Sequence, residues 1–64
     1  MTTDQRIDRA YRILDIAKQR YDEPDTETLI IDLMTDLLHV ADTTQGMDID
    51  NLLTTIQTHY NEEA

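Results

Sequence analysis

Four side chains in this sequence have the chemistry to act together: Asp32, Asp36, His39 and His59. The first three fall at i, i+4 and i+7, on one face of any helix that contains them. If the chain turns back on itself near Gln45 and Gly46, residue 59 returns level with residue 32, since both are about fourteen residues from the turn in a hairpin of helices. Two carboxylates and two imidazoles so placed suit a divalent metal or acid–base work. A structural role competes with this. Asp36 sits one turn before His39 and can satisfy it, and His59 can cover a core edge while reaching Asp32.

Other signatures of catalysis are missing. There is no glycine-rich phosphate loop, no cysteine, no serine and no E-x-x-H pattern. A 64-residue bundle also has little interior for a pocket of about 300 Å³ unless it oligomerises. The expectation is therefore a protein that is not an enzyme, with no catalytic, cofactor or metal-ligating residues and no cofactor.

The element that must position these residues runs from Asp25 to Asp42. On a helical wheel Leu29, Ile30, Ile31, Leu33, Met34, Leu37, Leu38, Val40 and Ala41 fill an apolar arc of about 200°. A helix with one neighbour needs little more than about 100°, so this one is expected to lie between two others. Asp25, Asp32, Asp36 and His39 form the opposite, acidic edge. Pro24 suits the first turn, and the nearby acids complement the positive end of the helix dipole. Gly46 is placed to close the helix in the left-handed conformation.

Before it, Thr2 and Gln5 match a capping box, and Ile7, Ala10, Leu14, Ala17 and Tyr21 follow at spacings of 3, 4, 3 and 4. Alanine at both d-like positions predicts close approach to a neighbour. Asp8 to Arg12 and Asp15 to Lys18 are favourable helical pairings. Arg9, Arg12, Arg20 and Arg6 surround Ile16 on the far flank, which makes Arg9, Arg12, Ile16 and Arg20 a candidate second interface. After the central helix, Asp48 reads as an N-cap, with Met47 and Leu52 as a hydrophobic staple. Ile49, Leu52, Leu53, Ile56 and Tyr60 share one face, while residues 61–64 are expected to fray. The prediction is an all-α, three-helix up-down-up bundle, one domain over 1–64, with helices over 3–21, 24–43 and 48–60.

Charge bounds the partners. The net charge is -9, from 5 Lys and Arg against 14 Asp and Glu. All the basic residues precede Asp22, and eleven acids follow from there with no cation among them. Direct binding to nucleic acid or to an anionic membrane needs a basic surface, so both are excluded as expectations. Nothing in the sequence resembles an apolar leader or a membrane span, so neither is expected, and with no cysteine the chain fits a reducing compartment; a cytoplasmic protein is expected. At this length only about 60% of the unfolded surface is buried on folding, so a homodimer is the commonest remaining support.

The pattern D-L-x-x-D-L-L-H from Asp32, then G-x-D-x-D from Gly46, then His59-Tyr60, resembles small uncharacterised acidic helical proteins of bacteria and their phages. It spans about half the chain and carries over no activity or site residue. The resemblance implies a phage or mobile-element accessory protein.

A compact acidic bundle of that kind can inhibit a nucleic-acid-handling host protein by occupying its basic surface, as anti-CRISPR and anti-restriction proteins do. The residues expected to bind such a partner are Asp25, Asp32, Asp36, His39, Asp42, Asp48 and Asp50. Two alternatives stand beside this. One is a structural or adaptor module that homo-oligomerises. The other is an acidic domain adapted to high salt, since Asp and Thr each occur ten times and Lys once, in which case the charge specifies no partner.

Overall fold

The computed structural model describes residues 2–63, and among them it contains three α-helices and no strand. They are α1 (Thr3–Tyr21), α2 (Thr26–Thr43) and α3 (Ile49–Glu63). Each begins where a side chain satisfies the first free amides. Thr2 Oγ1 accepts from Gln5 N at 3.2 Å while Thr2 N donates to Gln5 Oε1 at 3.0 Å, completing the expected capping box. For α2 the cap is Asp25, whose Oδ2 accepts from Thr28 N at 3.0 Å and from Thr28 Oγ1 at 2.6 Å. Pro24 therefore lies before the helix and not in its first turn, because Asp25 takes the capping position. Asp48 Oδ1 receives Asp50 N at 3.0 Å and Asn51 N at 3.4 Å, as an N-cap of α3.

The breaks between helices use left-handed backbone at two places. Asp22 ends α1 at φ 51, ψ 42, a conformation that aspartate tolerates better than most side chains. Gly46 has φ 82, as expected of it, but it does not close α2. That helix ends at Thr43 and is capped two residues before Gly46 by Thr44, whose amide donates to Ala41 O at 3.0 Å. Met47 N then donates to Thr44 O at 3.2 Å, so Gly46 occupies the third position of a four-residue turn, where positive φ favours glycine.

The central helix packs against both others, as its wide apolar arc requires. The end of α3 does not fray at 61–63. Arg6 Nε meets Glu63 Oε2 at 2.7 Å, and Thr3 Oγ1 donates to Glu63 O at 3.2 Å, which extends the helix past the expected residue 60. Ala64 lies outside the described residues. These contacts join the start of α1 to the end of α3. A strictly up-down-up path sets those two ends a helix length apart, so the contacts establish three helices without establishing that order.

The core is small. Only Ala17, Leu29 and Ala41 are buried among the described hydrophobic residues, with Leu14, Leu33, Leu38, Ile49 and Leu52 half-buried. Ala17 confirms close helix approach at one of its two expected positions; Ala10 is exposed. Contrary to the expected core, Ile30, Ile31, Met34, Leu37 and Val40 of α2 are exposed, as are Ile7, Leu53, Ile56 and Tyr60. On the wheel of α2, Leu29 and Leu33 lie to one side, Leu38 and Ala41 to the other, and Leu37 and Ile30 between them. In a closed bundle those intermediate positions would be the deepest. Here Leu37 remains 56% exposed. The radius of gyration, 13.1 Å, exceeds the roughly 11 Å expected of a compact chain of this length, and the Cα trace extends 32 × 29 × 16 Å.

Candidate protein-interaction site

The acidic edge of α2 is present and exposed, but its members do different things. Asp25 is committed to its cap, and the hydrogen bonds from the Thr28 hydroxyl and then the Thr28 amide hold its pKa below the ordinary carboxylate value. Asp36 accepts a hydrogen bond from the Tyr21 hydroxyl. That bond, then desolvation, then the charges of Asp36 and Asp32 raise the Tyr21 pKa. The contact ties the end of α1 to the middle of α2. Asp36 was expected to satisfy His39, but the His39 side chain is exposed and makes no hydrogen bond among the described residues, while Asp36 meets Tyr21 across the helix interface.

His59 does not return to Asp32. It lines an open depression of about 430 Å³ with Arg6, Thr55, Ile56, Tyr60 and Glu63, at the junction of α1 and α3. Among the described residues no group of three or more His, Cys, Asp or Glu side chains is placed to hold a metal ion. The grouping of Asp32, Asp36, His39 and His59 is not made, because His59 lies beside Arg6 and Glu63, where the end of α3 meets the start of α1.

Asp32, Asp42 and Asp50 are exposed and bear no capping role, whereas Asp48 caps α3. The second interface is also exposed. Arg12 Nη2 pairs with Asp8 Oδ2 at 3.2 Å, the expected helical spacing, and Ile16 is 62% exposed, with Arg9 and Arg20 on the surface as well. Asp15 and Lys18 form no ion pair among the described residues; Lys18 lines a shallow depression with Asp22, Glu23 and Pro24. No helix is long and apolar enough to cross a membrane among the described residues.

Two features were not anticipated. One is the pair of cross-helix polar ties, Tyr21 to Asp36 and Arg6 to Glu63; both residues of each tie are visible in sequence, but nothing in the spacing pairs them. The other is a set of depressions larger than a bundle of this size was expected to offer. Ile7, Ala10, Tyr11, Leu14, Thr26 and Ile30 line one of about 330 Å³, and Thr3, Arg6, Ile7, Tyr60 and Glu63 line another of about 390 Å³. Both are open to solvent.

Compared with protein-family models, with curated proteins and with solved structures, the chain matches none.

Proposed function

We propose that the chain is a small acidic protein-binding module that acts by contact and not by catalysis. In this reading it is a cytoplasmic accessory protein of phage or mobile-element type, inhibiting a nucleic-acid-handling protein by occupying its basic surface. The observation that supports it is the one-sided charge: eleven acids and no Lys or Arg from Asp22 onward, with Asp32, Asp36, Asp42 and Asp50 exposed along α2 and the first turn of α3. Carboxylates at that density stand in for phosphates, and their field speeds encounter with a basic partner. The test is capture from host lysate on the immobilised protein at low and at moderate salt. A basic nucleic-acid-handling protein retained at low salt and released by salt or by added DNA is the expected result. Capture that is indifferent to both would refute it.

A second reading, a structural or adaptor module, is favoured by the exposure of so much apolar surface on all three helices. Adaptation to high salt is distinguished by unfolding when salt is removed.

A further inference from the structure

Four of the open depressions share lining residues in succession. Ile7 is shared between the two on α1, Tyr60 between the two at the α1–α3 junction, and Ile56 carries the surface on to Met34, Leu37 and Leu53. The result is one apolar face made by all three helices, with Ile7 49%, Met34 45%, Leu37 56% and Tyr60 67% exposed. From this we infer that the face is covered by a second copy of the chain, and that the protein is an obligate homodimer. The inference rests on the module reading and is independent of the acidic target.

Area identifies the occupant. The accessible surface is 5542 Å² for a chain of 7.5 kDa, against about 4,200 Å² for a compact monomer of that mass. The lone chain buries about half of its unfolded surface, where about 60% is normal. Covering the excess of about 1,300 Å² on each of two copies restores that fraction and buries about 2,600 Å² in total, within the range of obligate homodimers. A small peptide would cover too little. A symmetric pair places the same apolar face on both sides, so each copy supplies what the other lacks. The pair carries twice the net charge of -9, so its association tightens as salt screens that repulsion, the reverse of carboxylates binding a basic surface.

Sedimentation equilibrium of the full chain tests the inference. The expected mass is twice 7.5 kDa in the micromolar range, with Ile16→Glu, on the far side of α1, remaining dimeric. Leu37→Glu forces a charge into the covered face and should weaken association by at least about tenfold. An obligate pair loses its fold with its partner, so thiol labelling provides a second readout. The chain has no cysteine, and in Leu37→Cys and Ile16→Cys variants the thiol at 37 should react at least about tenfold more slowly than that at 16. A folded single copy at all concentrations, a mass of three or more copies, or a thiol at 16 protected in place of 37 would each overturn it. A monomer that still captures a basic protein would end the dimer and leave the acidic reading standing.

Discussion

Leu29 and Leu37 are the same side chain on the same helix, and comparing their truncation tests how this core works. Leu29 is 2% exposed and Leu37 56%. Leu29→Ala removes buried carbon and leaves a cavity, at a cost of about 2–5 kcal/mol. A domain of this size has about 3–5 kcal/mol in all, and 1 kcal/mol moves its melting temperature by about 4–8 °C. A loss near 3 kcal/mol therefore lowers melting by about 12–24 °C, or unfolds the chain outright. Leu37→Ala removes a side chain less than half covered within its own copy, a burial worth about 1 kcal/mol. When a second copy covers the face, its cost rises toward that of Leu29. Thermal melts followed by far-ultraviolet circular dichroism over a hundredfold range of protein concentration separate the two. Leu29→Ala melting within a few degrees of the wild type would refute the assignment of the core to Ala17, Leu29 and Ala41.

The polar ties make further predictions. Tyr21 has its pKa raised above 10.0, so its bond to Asp36 stabilises the fold fully below that value and is lost as pH rises through the raised one; Tyr21→Phe should flatten the alkaline limb of stability measured by urea unfolding. Asp25 has its pKa lowered, so its cap contributes above the ordinary carboxylate value and is lost as pH falls through the lowered one. Asp25→Asn should retain the cap but abolish that acid dependence, whereas Asp25→Ala should lose both. Arg6→Gln breaks a pair whose side chains are 43% and 30% exposed, so its global cost should stay under about 1 kcal/mol and vanish in salt. Its local effect is faster amide exchange over the last turn of α3, read by hydrogen exchange.

Local structure was legible because local chemistry determines it. Thr2 with Gln5 and Asp48 before Asn51 are caps whose partners lie within three residues, and the helix starts follow from them; Asp25 caps Thr28 just as locally, but Pro24 was expected in the first turn in its place. The errors that alter the site are non-local. Residues 61–63 lack favourable dipole partners and should fray, but Arg6, far away in sequence, holds Glu63. Asp36 and His39 have ideal spacing, but Tyr21 competes for the carboxylate. Periodicity correctly places Ile30, Met34 and Leu37 on one apolar face of α2; it does not say whether that face meets the same chain or another. For the same reason Asp32 and Asp42 are legible as a charged edge without any indication of what approaches it.

The most direct test of the central claim, that exposed carboxylates recruit a basic partner, neutralises those that cap no helix. Asp32, Asp42 and Asp50 cap nothing and are exposed, so Asp32→Asn, Asp42→Asn and Asp50→Asn together should leave helicity and melting near those of the wild type. Capture from lysate at low salt should then fall at least about tenfold, with DNA competing against whatever wild-type binding it displaces. Undiminished capture by the folded triple variant would contradict the claim.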